Sequence, residues 1–469
     1  HFGHNSEVAW CITHAGADYQ DLYLEHFNEG VLTHYEFEGK WEPIHTNQET
    51  IKVREGSDVT INTFSTHHGP VITENLSSRF GISFRYTSTA EINTGFTAVL
   101  KMLTANNADE LHETMRSWID PCNNFLYADV NGDIGYLTRG KIPIRSSDNA
   151  WLPVPGWTGN HEWQGHIPFE ELPQSHNPDS GYLVTANNRI TNEDYPYYIA
   201  LDFAPEFRAR RITDRIQNLR RATADDMAKI HADRISIPAK VYQDLIGDVE
   251  FEDSLSTYLR NVLLAWDGSM DEHSVAPTIY SSFRYMLNKL VINNLLGPLT
   301  EDAINGTGRG GPAHYGRLST ALVQAIQERN EKMLPQNQSW ASLSKKAFLL
   351  GISYLQDRLG KETDKWKWGY VHFTRPRHPL SDLFPESASL LDPPSVPMAG
   401  DGDTAQAGSF SPASPFTMTS MSVARYVFDV ADWENSRWVI PLGASGHPGS
   451  PHFADQTNIW GAVDMIPML

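Results

Sequence analysis

The chain has almost no cysteine and no long apolar run. Only Cys11 and Cys122 occur among its 469 residues, and neither has a second cysteine nearby in the sequence. This usage excludes a disulfide framework and a thiolate zinc site; a single disulfide stays open, but two buried free thiols are favoured. The best apolar candidate, residues 285–299, is interrupted by polar residues and is shorter than the roughly 20 residues of a membrane-spanning helix. We therefore expect no membrane partner.

Basic residues are scarce as well. Lys and Arg number 37 against 57 Asp and Glu, which gives a formal net charge of −20. Nucleic acid binding needs clustered positive charge, so we expect no nucleic acid partner, whereas divalent cations suit an acidic chain. The chain is 40% hydrophobic and 11% aromatic, which is enough to build a core. Its length suits one elaborated domain or two packed ones.

Several catalytic motifs are missing. Residues 443–447 read Gly-Ala-Ser-Gly-His and lack the final Gly of a nucleophile elbow. No glycine-rich phosphate-binding fingerprint follows a strand, which disfavours nucleotide chemistry. His67 and His68 are adjacent and lack metalloprotease spacing, and adjacent residues of a strand point to opposite faces. The sequence therefore gives no support to an α/β-hydrolase or to zinc catalysis.

Local patterns place strands at both ends of the chain and helices between them. Apolar residues flank Asn131-Gly132, which predicts a hairpin over 125–136 with a two-residue turn. The same segment imitates a calcium loop at its first, third and fifth positions, but it lacks the required Gly and Glu, so we interpret it as a hairpin. The other predicted elements are strands at 8–12, 51–53, 59–64, 422–430 and 438–441, helices at 111–118, 223–299, 319–329 and 340–359, and ordered irregular loops over 150–210.

The first two dozen residues carry the most informative local pattern. The strand-like run 8–12 gives way to the small residues Ala15, Gly16 and Ala17, and Asp18 and Asp21 then bracket Gln20. Two carboxylates and an intervening backbone carbonyl can supply three oxygen ligands to a hard cation. The pattern predicts a backbone exposed at a strand end beside a cation site, although two solvated carboxylates would give the same pattern.

Segments along nearly the whole chain resemble, in order, the β-subunit of the penicillin acylase (penicillin amidase) family of N-terminal nucleophile hydrolases. The matching segments are Gly-His-Asn-Ser-Glu-Val-Ala-Trp at 3–10, Thr-His-Ala-Gly-Ala-Asp-Tyr-Gln-Asp-Leu-Tyr at 13–23, His-Gly-Pro-Val at 68–71, Leu-Pro-Val-Pro-Gly at 152–156, Ser-Gly-Tyr at 180–182, Thr-Ala-Asn-Asn at 185–188, Asp-Tyr-Pro at 194–196, Gly-Asp-Gly-Asp-Thr at 400–404 and Ser-Gly-His-Pro-Gly-Ser-Pro-His at 445–452.

The resemblance implies an α+β fold, the αββα sandwich of two antiparallel sheets, elaborated by a helical insertion over 220–365 within a single domain spanning 1–469. It also implies a precursor that cuts itself into an α-chain and a β-chain. The nucleophile would be the new amino-terminal Ser of the β-chain, on the order of fifty residues before His1, with its own α-amino group as the base. We therefore expect this chain to be a partial β-chain, incomplete at both ends and inactive alone.

The resemblance also assigns roles to residues of this chain. The backbone N–H of His14 and the side-chain amide of Asn187 would form the oxyanion hole. Arg208 would support Asn187 and the amino group of the nucleophile, with Arg210 or Arg211 as the alternative matches. A structural Ca²⁺ would be bound by five residues and by a Glu of the α-chain. The five are Asp18 and Asp21 through side chains, Gln20 and Ala150 through carbonyls, and Asp202.

The expected activity is amide hydrolysis through an acyl-enzyme on a small-molecule N-acyl substrate with an apolar or aromatic acyl group. Penicillins, cephalosporins and acyl-homoserine lactones are not distinguished at this level. The resemblance implies a periplasmic or secreted protein. The alternative from another class is a non-catalytic, calcium-stabilised binding module of the same fold.

Overall fold

The computed structural model describes residues 2–29, 32–73, 79–306 and 314–468. By packing, the chain falls into two compact units, His1–Glu206 and Phe207–Leu469. The expectation of a single domain over 1–469 stays a prediction.

The first unit contains strands and three short helices. Its strands are β1 (Gly3–His4), β2 (Val8–His14), β3 (Gln20–His26), β4 (His34–Phe37), β5 (Lys40–Pro43), β6 (His45–Ile51), β7 (Val59–Thr66), β8 (Gly69–Pro70), β9 (Phe80–Tyr86), β10 (Asn123–Asp129), β11 (Ile134–Arg139), β12 (Val154–Pro155) and β13 (Gln174–His176). Its helices are α1 (Thr87–Ala90), α2 (Gly95–Met102) and α3 (Ala108–Thr114), and a 3-10 turn, Met115–Ser117, continues α3. The predicted helix at 111–118 thus begins three residues earlier.

The main sheet is built around β2, the strand predicted from the amino-terminal pattern. Its strand order is β1-β2-β10-β11-β13, and all of its pairs are antiparallel. β2 extends two residues beyond the predicted 8–12 and ends at His14, which pairs with Asn123 of β10. The predicted exposed strand end therefore falls at His14.

The hairpin between β10 and β11 is confirmed, but its turn is longer than predicted. Ala128 pairs with Ile134, and the Asp129 N–H donates to the carbonyl of Asp133, which leaves three loop residues. Gly132 has φ +97, as in a three-residue loop that ends in a left-handed position. The Asp129 carboxylate accepts backbone N–H bonds from Asn131, Asp133 and Ala108, so it caps this loop and α3.

Helices α2 and α3 bury their apolar residues against one face of the main sheet. Val8, Trp10, Phe125 and Leu137 share one core with helical residues that include Ala98, Met102 and Leu111. Each fully buried large side chain contributes about 1.5–3 kcal/mol. This packing explains why α3 forms although it has only seven residues.

The remaining strands of this unit form smaller sheets. β3 pairs antiparallel with β9 over seven residues, and β12 joins β3 in parallel, so this pairing departs from the all-antiparallel prediction. The prediction of a strand at 51–53 is wrong, because β6 ends at Ile51 and the chain then turns towards β7. The predicted irregular region 150–210 is confirmed: it contains short pieces of strand and 3-10 helix until a helix begins at Phe207.

The second unit is mainly helical, followed by short strands. Its helices are α4 (Phe207–Gln217), α5 (Ala224–His231), α6 (Ile237–Gly247), α7 (Ser254–Leu264), α8 (Ala276–Leu296), α9 (Thr300–Asn305), α10 (Tyr315–Gln327), α11 (Trp340–Leu359), α12 (Ala388–Leu391) and α13 (Thr457–Gly461). Its strands are β14 (Gly408–Phe410), β15 (Met418–Met421), β16 (Arg425–Val427), β17 (Arg437–Val439) and β18 (Ile466–Pro467).

Local signals set the helix starts of this unit. The Thr223 hydroxyl accepts a hydrogen bond from the Asp226 N–H, and the Asp226 carboxylate accepts one from the Thr223 N–H, which makes a complete capping box at the predicted start of α5. α11 begins at Trp340 and ends at Leu359, as predicted. α8 and α11 pack through Phe283 and Phe348 in the largest core of the unit. Within the described residues, no helix is both long and apolar enough to span a membrane.

Candidate active site and cation site

The end of β2 meets the loop that carries Asn187. The Asn187 side-chain Nδ2 donates to the backbone carbonyl of His14 at 2.9 Å. Asn187 has φ +66, in the left-handed region that Asn adopts more readily than other non-glycine residues. Its carbonyl accepts a hydrogen bond from the Ala204 N–H. The structure thus brings together the two residues predicted to form the oxyanion hole.

Three polar side chains fix this junction. The hydroxyls of Thr13 and Thr185 lie 2.7 Å apart, and the Asn124 Nδ2 donates to Thr13 Oγ1 at 3.0 Å. Asn124 is fully buried and also donates to the His14 carbonyl at 3.3 Å. Because buried polar groups that satisfy one another rigidify their surroundings, the Asn187 loop is held in register with β2.

A cavity with a mainly apolar lining lies against Trp10 of β2. It has a volume of about 620 Å³, and aromatic residues of its lining include Phe2, Trp10, Phe96 and Trp118. Trp10 and His14 lie on the same strand four residues apart, about 13 Å, and therefore on the same face. The cavity therefore borders β2, the strand that ends at His14.

Arg139 lies at the inner wall of this cavity. It is fully buried, pairs with Asn123 across the sheet, and donates from Nη2 to Asn123 Oδ1 at 3.2 Å. Its guanidinium stacks 3.7 Å from the ring centre of Trp118. Burial lowers the pKa of Arg139 to about 9, which keeps the group charged at neutral pH. Asn123 pairs with both Arg139 and His14, so the three positions form one row across the sheet.

Arg208, the third predicted catalytic residue, is the second residue of α4 in the second unit. Burial lowers the pKa of its guanidinium, and the Asp403 carboxylate opposes that shift. Its proposed support of Asn187 stays a prediction. Of the alternatives, Arg211 is committed to a bidentate ion pair with Asp233, through Nε at 2.8 Å and Nη2 at 2.7 Å. That pairing favours Arg208 or Arg210 as the match.

Four of the five predicted calcium ligands line one cavity of about 320 Å³. They are Asp18, Gln20, Asp21 and Ala150. The Asp21 carboxylate is fully buried; its Oδ2 accepts from Trp163 Nε1 at 2.6 Å and from Asn149 Nδ2 at 3.1 Å. Its Oδ1 is buried and has no hydrogen-bond partner among the described residues. A buried carboxylate oxygen without a hydrogen-bond partner is costly unless a positive group lies beside it, and oxygens of this type are the ligands that hard cations prefer.

A guanidinium already neutralises part of this charge. The side chain of Arg145 is fully buried, with Nη2 2.9 Å from Asp18 Oδ2 and Nε 3.1 Å from Asp21 Oδ2. Burial raises the pKa of Asp21, and the Arg145 charge opposes that shift. The Arg145 contact is made to Oδ2 of Asp21, not to Oδ1, the atom without a hydrogen-bond partner in the described part of the chain. Sequence reasoning missed Arg145 because it comes from a loop far along the chain, with no pattern that links it to Asp18.

Asp202, the fifth predicted ligand, lies beside this loop. Its backbone oxygen is 3.4 Å from the point that a Cβ on Gly16 would occupy. The Asp18 N–H donates to the Ile199 carbonyl at 2.8 Å, and Tyr198 donates to Asp18 Oδ2 at 3.2 Å, so the segment before Asp202 runs along the acidic loop. Asp202 is not among the residues that line the cavity, and its side-chain ligation stays a prediction.

Comparison with solved structures defines the fold class. The whole chain matches 86% of a penicillin G acylase from Alcaligenes faecalis, with a TM-score of 0.72 and 21% sequence identity. The fold is therefore that of the N-terminal nucleophile hydrolases, as the sequence predicted.

Comparison of sequences identifies the family. The penicillin amidase family model matches residues 1–469, and the chain belongs to that family. The whole chain is 38% identical to a penicillin acylase 2 proenzyme of Pseudomonas sp. (strain SE83), and 98% of it is 24% identical to an acyl-homoserine lactone acylase of Pseudomonas aeruginosa. In both matches the chain spans about three-fifths of the length of its relative, 59%.

Proposed function

We propose that this chain is the greater part of the β-subunit of an amide hydrolase that works through an acyl-enzyme. An amino-terminal Ser encoded upstream would attack the amide carbonyl of a small N-acyl substrate. The backbone N–H of His14 and the Asn187 Nδ2 would stabilise the oxyanion, the amine would leave, and water would release the acid. The observation that carries this proposal is the 2.9 Å contact that holds a left-handed Asn187 against the backbone of residue 14.

The aromatic cavity supports an apolar or aromatic acyl group. The names of the relatives point to N-acylated small molecules and include both penicillin and acyl-homoserine lactone acylases. An apolar cavity of about 620 Å³ is large enough for an acyl group of either kind. The proposal therefore covers penicillins, cephalosporins and acyl-homoserine lactones as one class of N-acyl substrate.

A structural Ca²⁺ beside Asp18 and Asp21 fits the residues present. Asp21 Oδ1 is the buried oxygen that needs a positive partner, and carboxylate and carbonyl oxygens are the ligands that Ca²⁺ prefers. Asp18, Gln20, Asp21, Ala150 and Asp202 would hold the ion, completed by a Glu of the α-chain. The ion would tie the loop after β2 to the irregular region around 150–202.

The proposal includes processing and a partner chain. One relative is named a proenzyme, which supports self-cleavage of a longer precursor into two chains. The α-chain of the same precursor would then be the partner of this chain, in the periplasm or outside the cell. A product of the full gene that migrates as one chain on a denaturing gel would contradict self-cleavage and favour the binding module.

The test is the substitution Asn187→Ala in the protein made from its full gene, assayed on a chromogenic N-acyl anilide. Loss of one oxyanion donor is expected to lower kcat by about 10²–10³ and to leave KM within a few-fold. Asn187→Gly, which adopts φ +66 without strain, should show the same loss of kcat, because the amide and not the backbone is responsible.

The matched control is Asn177→Ala. Asn177 is also left-handed, with φ +44, and donates to Asp133 at the end of the main sheet. Its replacement should leave kcat unchanged. Equal kcat values for the Asn187 and Asn177 variants, in proteins that have cleaved normally, would refute the proposed role of Asn187.

A further inference from the structure

Two adjacent histidines outside the candidate active site converge on one carboxylate. His67 and His68 form the turn between β7 and β8, and Glu162 comes from the irregular region beyond β12. The Glu162 Oε1 lies 2.6 Å from His68 Nε2 and 3.6 Å from His67 Nε2. The prediction that the adjacent histidines point to opposite faces is wrong here. The turn interrupts the alternation of a strand, and the centres of the two rings lie 3.8 Å apart.

Each of these side chains is held by a second partner on the atom that faces away from the cluster. Tyr35 Oη lies 2.9 Å from His67 Nδ1, Glu25 Oε1 lies 2.8 Å from His68 Nδ1, and Arg85 Nη1 donates to Glu162 Oε2 at 3.1 Å. Metal-binding histidines have this kind of partner on the distal nitrogen, which fixes the tautomer and turns the other nitrogen towards the ion.

The burial of the cluster leaves one side open to solvent. The side chain of His68 is fully buried and stacks on Tyr23 at 3.8 Å, whereas the His67 side chain is 33% exposed. Two carboxylates and one arginine surround the two rings, so a dication introduces no large excess of positive charge. The buried His68–Glu25 pair does not include His67. That pair therefore does not explain why His67 Nε2 points towards Glu162.

We propose that His67 Nε2, His68 Nε2 and Glu162 Oε1 bind a divalent transition-metal ion of the Zn²⁺ class, with water at the fourth position. Two imidazoles and one carboxylate form a common ligand set for this ion. Metal–ligand bonds of about 2.0–2.1 Å in a tetrahedron place the ligand atoms about 3.3 Å apart. This is close to the 3.6 Å between His67 Nε2 and Glu162 Oε1. The His68–Glu162 pair would open by about 0.7 Å, and the proton between them would leave to solvent.

Protons compete with the metal, because imidazole nitrogens and carboxylates must be deprotonated to bind an ion. Metal binding is therefore expected to weaken as the pH falls. The ion would clamp the β7–β8 turn to residue 162, independently of the proposed hydrolase activity.

The test is titration of the metal-free protein with ZnSO₄ by calorimetry, and with CoCl₂ by visible absorption, where tetrahedral Co²⁺ gives a strong band. Wild-type protein should bind one ion tightly and show the band. His67→Gln should lose both, and Tyr35→Phe should lower the Zn²⁺ affinity by about 10–100-fold. Neither variant disturbs the buried His68–Glu25 contact, so folding is retained.

The matched control is His452→Gln, because His452 is an exposed histidine 2.9 Å from the Asp455 carboxylate without a second imidazole in its ion pair. It should bind Zn²⁺ as the wild type does. The proposal is overturned if wild type gives no Co²⁺ band, or if His67→Gln and His452→Gln bind Zn²⁺ equally. These readouts require no substrate, so they are separate from any failure of the proposed activity.

Discussion

The buried contact between Arg145 and Asp21 gives the sharpest stability prediction. Arg145→Met keeps a long apolar stem beside the ring of Tyr198, which lies 5.2 Å from the guanidinium, but removes the positive charge. Both side chains of the Arg145–Asp21 pair are fully buried, and the Arg145–Asp18 contact is lost at the same time. The substitution therefore leaves a buried carboxylate without its cation.

Breaking a buried pair from one side costs about 3–5 kcal/mol. For a unit that spans residues 1–206, each kcal/mol lowers the melting temperature by about 2–4 °C. We therefore expect a fall of about 6–20 °C when calcium is chelated. Added Ca²⁺ should recover part of this loss, because the free carboxylates bind the ion more tightly once the competing guanidinium is removed. Saturation at 100 times the dissociation constant contributes about 2.7 kcal/mol.

Differential scanning calorimetry of the protein made from its full gene, with chelator and with CaCl₂, measures both effects. The control is Arg116→Met, because Arg116 makes exposed ion pairs with Glu113 and Glu170 that are worth no more than about 1 kcal/mol. If Arg145→Met melts like Arg116→Met in chelator, the buried pair is not a stabilising contact. If CaCl₂ restores nothing in Arg145→Met, calcium does not bind beside Asp21.

Three further predictions concern the rest of the chain. Burial lowers the pKa of His372 to about 4, below the value of about 6.5 in the unfolded chain. The neutral His372 ring therefore contributes fully to stability above about pH 6.5, and this contribution is lost as the pH falls towards 4. His372→Asn should flatten that part of a plot of melting temperature against pH. Thr223→Ala should cost about 1 kcal/mol in urea unfolding through loss of the capping box, whereas Thr320→Ala, in the middle of an exposed helix face, should cost less than about 0.5 kcal/mol. Gly69→Ala should destabilise by more than about 1 kcal/mol in the same assay, because φ is +128 and the new Cβ would lie 2.3 Å from a backbone oxygen; Gly39→Ala, with φ +74 and open space, should cost less. Equal losses of stability for Thr223→Ala and Thr320→Ala, or for Gly69→Ala and Gly39→Ala, would contradict these structural reasons.

Elements with local signals could be predicted from the sequence. The capping box at Thr223, the apolar run of β2 and the Asn131-Gly132 loop each carry their information within a few residues, and each is present in the structure. The errors also have local causes. The turn at Gly132 is one residue longer than predicted because the Asp129 carboxylate caps it, a contact that the turn sequence alone does not reveal.

Contacts between distant loops could not be predicted from the residues alone. Asn187 reaches His14 and Arg145 reaches Asp18 across more than a hundred residues, and no periodic pattern connects either pair. The family resemblance supplied Asn187, because its motif at 185–188 is collinear with the family pattern. It supplied neither Arg145 nor the approach of His67 to Glu162, since these depend on side-chain packing between loops.

The row formed by His14, Asn123 and Arg139 has a consequence for how substrate preference can change. The group that would act at position 14 is a backbone N–H, so the side chain of His14 is replaceable. In the described part of the chain, Nδ1 of this side chain accepts a hydrogen bond from the N–H of Gly16, at 3.0 Å. At the neighbouring positions of the row the side chains matter: Arg139 lines the aromatic cavity, and Asn123 accepts a hydrogen bond from Arg139. If the proposed oxyanion role of residue 14 holds, mutations of the side chains in this row would alter the cavity wall while the backbone donor beside it persists, so selectivity could change without loss of the catalytic geometry.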